Sequence, residues 1–377
     1  MISFSLLREQ LKSGGWRWVF GRLSREWRMP TTPAGRALYR ARRPRHEPGP
    51  AARAKYPADT LYAFYDLAVA PLTFDVLWFL TAADLERRRL GLQSMTLVVV
   101  PGPEGGVRHE RPDYEAVVDR DDRRARIADI IVPAASFLPN LAGVTVAASR
   151  GEAETIAFGA EHVFPGGYEP AMPRFASSRP SLEASRRDRA DIAVLRATTS
   201  GLARADSWLA KQDGGRKPVV ITLRGYGYMP MRNSNLKAWI AFAASLDKKR
   251  FLPVFVPDTN QPAQDLAALA KFAVCAEAAA SVDLRMALYE RAYLNLGVNN
   301  GPMGLCWLNA RTRYLTFKIL TETAPQTTIA SMRHLGFEIG KSLPFATPHQ
   351  RWVWEDDDLA VIEREFAAMA ARIDRGA

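Results

Sequence analysis

The 377-residue sequence predicts an α/β protein of two halves, each a parallel sheet covered by helices, with a basic arm ahead of them. Short, almost continuous apolar runs at 95–100, 218–223 and 251–256 have the pattern of strands buried on both faces. Helix-length stretches separate them, and that alternation makes a parallel sheet. A break rich in Pro and Gly at 163–180 divides the alternation in two, and the length suits two domains better than one.

Composition narrows the classes. The chain is 47% hydrophobic and 24% charged, which excludes a disordered or fibrous chain. Cys275 and Cys306 are too few for a disulfide scaffold or a thiolate zinc site and read as buried free thiols. The net charge of +11 is unevenly placed. Residues 1–55 hold 13 Lys and Arg against 3 acids, whereas the rest holds 38 against 37. A nearly neutral body therefore carries a basic arm, and nucleic acid is not the expected partner of the body.

The arm spans residues 1–56 with its linker. Trp16, Val19, Phe20, Leu23 and Trp27 recur at spacings of three and four, while Arg17, Arg22, Arg25 and Arg28 lie opposite and Trp18 falls out of place. Ile2, Leu6, Leu7 and Leu11 suggest a shorter helix before Gly14 and Gly15. Indole opposite guanidinium suits the headgroup layer of an acidic membrane, reached through residues 1–28. The same stripe also suits packing on the body or on a partner. The sequence has no apolar run of eighteen and no secretory pattern at its start. The expected location is cytoplasmic, at the inner membrane face where the arm engages it.

The first domain is expected over 57–164. Residues 60–70 read as a strand and 76–90 as a helix ending in Arg87, Arg88 and Arg89, cations suited to a helix C-terminus. A strand at 95–100, a helix at 114–128, strands at 129–132 and 144–148, and a helix at 152–158 follow. Residues 165–210 form a linker and a connecting helix. The second domain, 211–377, offers strands at 218–224, 251–256, 273–278, 293–297 and 314–319. Its helices are expected at 236–246, 264–272, 282–292, 303–309 and 358–373.

In open α/β sheets ligands bind beyond the carboxyl ends of strands. Three segments of the second domain place polar groups there. Arg224 ends a strand, and the loop after it carries Arg232, Asn233, Ser234 and Asn235. Two guanidinium forks and a capped helix start can converge on phosphate; equally, Arg232 can form a surface ion pair and Ser234 or Asn235 can cap a helix. Asn299, Asn300, Gly301, Pro302 and Met303 follow a buried strand. Glycine there permits close backbone approach and proline suits a first helical turn, so the segment is an anion seat or a tight turn. Asp258 ends a third strand and reads as a ribose or base contact, or as a cap.

The second half resembles the nucleotide-sugar domain of GT-B glycosyltransferases, in particular the heptosyltransferase-like branch and more loosely the fucosyltransferases. The resemblance rests on Arg224, on Asp258 and on the run Leu296-Gly-Val-Asn-Asn-Gly-Pro-Met303, over about 217–320. It implies two Rossmann-like domains with a cleft between them and a donor diphosphate held at the Gly-Pro turn. The donor-binding set is then Arg224, Arg232, Asn233, Ser234, Asn235, Asp258, Asn299, Asn300, Gly301, Pro302 and Met303. The family places an acid ahead of Gly-Pro and a histidine just after; here Asn299 or Asn300 and Gly304 stand there, so the donor's identity does not carry over. The first domain would receive a glycan or lipid-linked acceptor. Asp75, ahead of Asp66, is the expected base that deprotonates it, although Asp75 is also placed to cap the helix after it. No cofactor and no metal are expected.

Other signals read as structural. Asp119-Arg-Asp121 lies in a charged, solvated face, and 355–358 precedes a helix whose positive end favours acids. The five histidines lack zinc spacing. The expected activity is transfer of a sugar from a nucleotide-sugar donor in surface polysaccharide or glycoconjugate synthesis. The alternatives are a sugar-nucleotide epimerase on the same fold, or a non-catalytic membrane or nucleic-acid adaptor using the arm.

Overall fold

The computed structural model describes residues 55–103, 106–212, 215–259 and 261–376. The expected arm and linker, 1–56, lie outside the described residues except for Lys55 and Tyr56. Among those described, no helix is long and apolar enough to cross a membrane.

The first half is a four-stranded parallel sheet in the order β3-β2-β1-β4, made of β1 (Thr60–Asp66), β2 (Ser94–Val100), β3 (Leu141–Val146) and β4 (His162–Phe164). Every residue of β1 is buried, as expected for a central strand. Helix α1 (Val76–Arg89) crosses from β1 to β2. Its run of apolar residues packs inward, and its terminal arginines face the negative end of the dipole.

The expected strand at 129–132 does not form. Helix α2 (Arg120–Arg126) continues through a π-turn at Ile127–Ile131 into Val132–Ala135. Three β-branched residues are overridden there by packing, because Ile131, Ala134 and Ala135 face the core at full burial. A further strand, β4, not expected from the sequence, closes the first domain just ahead of the segment expected to be linker. Helix α3 (Arg150–Gly159) leads into it. The connecting stretch splits into α4 (Ser178–Asp188) and α5 (Thr199–Ala210), with Ile192 and Leu195 buried between them.

The second half is a six-stranded parallel sheet in the order β10-β9-β8-β5-β6-β7. Its strands are β5 (Lys217–Thr222), β6 (Phe251–Val256), β7 (Ala273–Val274), β8 (Leu294–Val298), β9 (Tyr314–Phe317) and β10 (Gln350–Trp352). Helices α6 (Leu236–Ser245) and α7 (Val282–Arg291) cover opposite faces, and α8 (Leu359–Asp374) packs beside α6. β5 and β6 lead away in one direction, and β8 returns to the other flank of β5. The winding therefore reverses between β5 and β8, with Thr222 opposite Gly297 in register. Buried residues of both halves, including Tyr65, Leu77 and Phe79 from the first and Met286, Cys306 and Trp307 from the second, form one contiguous core. The halves thus meet over apolar surface below the cleft.

Candidate functional site

The reversal between β5 and β8 brings the expected segments together, because adjacent parallel strands that wind apart leave a crevice beyond their carboxyl ends. Arg224 lies two residues past β5, Asn299 one past β8, and Asp258 two past β6. The loop 225–235 turns back over this edge.

Most of the polar groups serve one another. The buried Arg224 guanidinium donates to the carbonyls of Tyr228 (2.6 Å) and Met229 (3.0 Å) and to Asn233 Oδ1. Asn233 Oδ1 also accepts from the Tyr226 amide at 3.1 Å, and Asn233 Nδ2 donates to the Tyr226 carbonyl. Ser234 Oγ accepts from the Arg224 amide at 2.9 Å. Asn235 caps α6 through Oδ1 to the Ala238 amide, 3.3 Å. Asp258 accepts from the Gly225 amide (3.2 Å) and its own neighbour Thr259 (2.8 Å). Met229 holds a left-handed backbone, φ 54°, which costs on the order of 1 kcal/mol for a residue with a Cβ.

The second segment is a cap as well as a turn. Asn300 Oδ1 accepts from the Met303 amide at 3.1 Å, closing a 3-10 turn at Gly301–Met303 with Pro302 inside it. Met303 is fully buried and belongs to the core. Gly301 does permit a close approach, but the group that approaches is Phe74 of the first half: a Cβ on residue 301 would lie 2.9 Å from Phe74 Cδ2. Asn299 Nδ2 donates to the Ile319 carbonyl at 2.8 Å.

Arg232 differs from these. It makes one side-chain hydrogen bond, from Nη2 to the Asn299 carbonyl at 2.9 Å, which leaves Nε and Nη1 without an acceptor among the described residues. It is not in the surface ion pair that the sequence allowed. Neither Arg232 nor Arg224 has a carboxylate within ion-pair distance among the described residues. Burial and the nearby Arg224 charge push Arg232 down to about 10, against a smaller opposing pull from Asp75. Burial also lowers Arg224, with Asp258 opposing. Two partly desolvated cations side by side are an electrostatic cost that an anion would relieve.

The two candidate bases have different surroundings. Asp66 is fully buried and receives four groups: Arg150 Nη1 and Nη2, both at 2.8 Å, the Tyr168 hydroxyl at 2.6 Å and the Ala68 amide at 2.9 Å. Burial and that carboxylate push the Tyr168 hydroxyl well above the ordinary phenol range. Asp75 is exposed at the N-cap position of α1. Its carboxylate makes no cap; among the described residues it accepts a hydrogen bond only from Thr73 Oγ1, 2.7 Å, and its charge opposes the lowering at Arg232.

Several residues here were not singled out from the sequence. Arg126, expected in a solvated face, turns inward and donates to the hydroxyls of Tyr114 (2.8 Å) and Tyr226 (2.9 Å), joining the two halves. Tyr114 meets the Tyr228 ring edge to face at 5.0 Å. Arg123, in the same run, is buried against Glu115, while Asp119 caps α2 through the amides of Asp121 and Asp122. Lys318, one residue past β9, donates to the Asn233 carbonyl at 3.2 Å. Its signal in the sequence was a cation closing the strand next to the Asn-Asn-Gly-Pro turn, legible only once the strand order is known.

Among solved structures, a glycosyl transferase family 9 protein of Veillonella parvula matches with 9% identity and a TM-score of 0.50, over 83% of this chain and 97% of that one. The fold is GT-B. The heptosyltransferase WaaC of E. coli, with ADP-2-deoxy-2-fluoro heptose, matches at 11% identity and TM-score 0.43, over 82% of this chain and 99% of that one. The fucosyltransferase NodZ from Bradyrhizobium matches at 15% and 0.30, over 66% and 93%. No protein-family model and no curated protein matches. In this GT-B chain the two expected Rossmann-like domains are present, with the crevice of the second facing the loop before α1 of the first.

Proposed function

We propose that this GT-B protein transfers a sugar from a nucleotide-sugar donor to a hydroxyl of a glycan or lipid-linked acceptor. The observation that carries the reading is the pair Arg224 and Arg232, two guanidinium groups without a carboxylate partner among the described residues, at the winding reversal of the second sheet and opposite Asp75. A nucleoside diphosphate is the anion of matching charge. Arg232, with Nε and Nη1 open, is the primary phosphate contact. Arg224 sets the loop that presents it.

The chemistry follows from these positions. The acceptor hydroxyl gives its proton to the Asp75 carboxylate as its oxygen bonds to the anomeric carbon. The bond from that carbon to the diphosphate oxygen breaks, and the charge gathering on the leaving diphosphate is met by the guanidinium groups. Asp66, with four donors on its carboxylate, holds the end of β1 in place. The basic arm supports an acceptor at an acidic membrane on the cytoplasmic side and a role in surface glycoconjugate synthesis.

Calorimetric titration with ADP, GDP and UDP tests the donor side; absence of binding by all three would remove the transferase reading. Incubation with the matching nucleotide sugar, with and without acceptor extract, separates transfer from isomerisation of the free donor. Flotation with acidic vesicles, before and after removal of residues 1–54, tests the arm.

A further inference from the structure

Three residues other than glycine hold a left-handed backbone among those described: Arg189, Met229 and Lys318. Arg189 ends α4, where such a conformation is common. The other two both hold the loop 225–235. Met229 offers its carbonyl to Arg224, and Lys318, with φ 53°, extends its ammonium under the loop to the Asn233 carbonyl at 3.2 Å.

Lys318 is expensive on two counts. Glycine would adopt φ 53° freely at this strand end, whereas lysine does so under strain. Its side chain is also only 18% exposed and stands 3.8 Å from Asp357 Oδ1, itself 2% exposed. A desolvated pair of this kind is weak evidence for stability and better evidence for fixed geometry. Asp357 is clamped in turn by the Asn235 amide (2.7 Å) and Trp239 Nε1 (2.8 Å). The ammonium therefore sits between a rigid carboxylate at the start of α6 and the one carbonyl whose residue organises the loop. Through Oδ1, Asn233 receives both the Arg224 guanidinium and the Tyr226 amide.

We infer that Lys318 is a positioning residue of the proposed donor site: it fixes Asn233, and through it the Arg224 guanidinium and the loop that carries Arg232, in the geometry that receives a diphosphate. The inference rests on the transferase reading. It adds to that reading a third cation at the β5–β8–β9 edge, one that acts through the loop and leaves the phosphate to the arginines.

The test uses the full chain with Lys318→Gly, Lys318→Met and Lys318→Arg. Lys318→Gly relieves the backbone but takes the cation from the buried Asp357, two opposing effects, so its melting temperature is expected to stay within a few degrees of the unaltered protein's. It should nevertheless bind the preferred diphosphate of ADP, GDP and UDP about tenfold more weakly, the worth of a lost charged hydrogen bond. Amides of residues 225–235 should exchange with deuterium about tenfold faster in the free protein. Lys318→Met should show the same losses, and Lys318→Arg should retain most of the affinity. In turnover, the donor KM should rise more than kcat falls. If the unaltered chain binds a diphosphate and Lys318→Gly binds it equally well with unchanged exchange, Lys318 has no positioning role. If the unaltered chain binds none of the three, the transferase reading fails and takes this inference with it.

Discussion

Arg232 donates from Nη2 to the main-chain carbonyl of Asn299 at 2.9 Å, so the loop after β5 is fastened to the turn after β8. Those two strands are the ones between which the winding of the second sheet reverses. A single guanidinium thus spans the crevice with one edge committed to protein and the other open. Phosphate recognition by a preset arginine needs this division, because a guanidinium free to swing loses entropy on binding.

Arg232→Ala and Arg224→Ala are expected to separate binding from folding. Removing Arg232 relieves like-charge repulsion and deletes one hydrogen bond, so the melting temperature should change little, while diphosphate affinity falls by about tenfold to a hundredfold. Removing the buried Arg224 side chain leaves the Tyr228 and Met229 carbonyls without their donor and takes one of two donors from Asn233 Oδ1. It should cost about 2 kcal/mol or more of stability as well as affinity. Calorimetry and thermal melts on both variants check this; equal loss of stability in the two would contradict the division of roles.

Diphosphate affinity should fall as pH rises past about 10, the value to which burial and Arg224 push Arg232. The sign follows from linkage: a base with a lowered pKa loses its proton in the free protein over that range, and bound phosphate favours the protonated form. Binding near pH 10 should therefore take up protons, which titration in two buffers of different ionisation enthalpy reveals. Arg232→Ala should abolish the uptake.

Asp75→Asn should lower kcat by about a hundredfold or more while leaving donor affinity within a few fold, since the carboxylate is exposed and bonded only to Thr73. Asp66→Asn should act on folding, with a loss of about 3–5 kcal/mol as the fully buried end of the Asp66–Arg150 pair loses its charge. Urea denaturation of both variants, paired with turnover, distinguishes them. A stable, inactive Asp66→Asn would exchange their roles.

Gly301→Ala should cost about 1–3 kcal/mol by pressing its Cβ into Phe74 across the two halves. Phe74→Leu in the same chain should recover part of that loss. A double-mutant cycle on the melting free energies measures the coupling, and additive losses would show that the halves do not close on each other at this point in solution.

The alternation of buried strands and helices was legible because a parallel strand in a covered sheet must be apolar throughout, wherever it sits in the chain. The run 129–132 misled for the same reason: three β-branched residues satisfy a strand and a core-facing helix equally, and only packing chooses. At the site, the residues after β5, β6 and β8 could be named because strand ends are read locally. Their roles could not be read. Asn235, Asp258 and Asn300 were legible either as ligand contacts or as caps and turns, Arg224 and Asn233 as phosphate contacts, and in the fold all five bond to its own loop amides and carbonyls. Arg126 carried no local mark, and the strand-end cation Lys318 gained meaning only from the strand order.

By itself the sequence determined where most of the buried parallel strands lie and which polar residues follow β5, β6 and β8, since hydrophobic periodicity and turn chemistry act over a few residues; the short strands β4 and β10 took their identity from pairing with β1 and β9. Tertiary structure decided which of those groups are consumed by the protein and which stay open. The order in which the strands pair places Lys318 beneath Asn233, Phe74 over Gly301, and Arg232 against the Asn299 carbonyl. Desolvation and hydrogen-bond saturation depend on those neighbours, and the crossovers that bring them together span tens of residues.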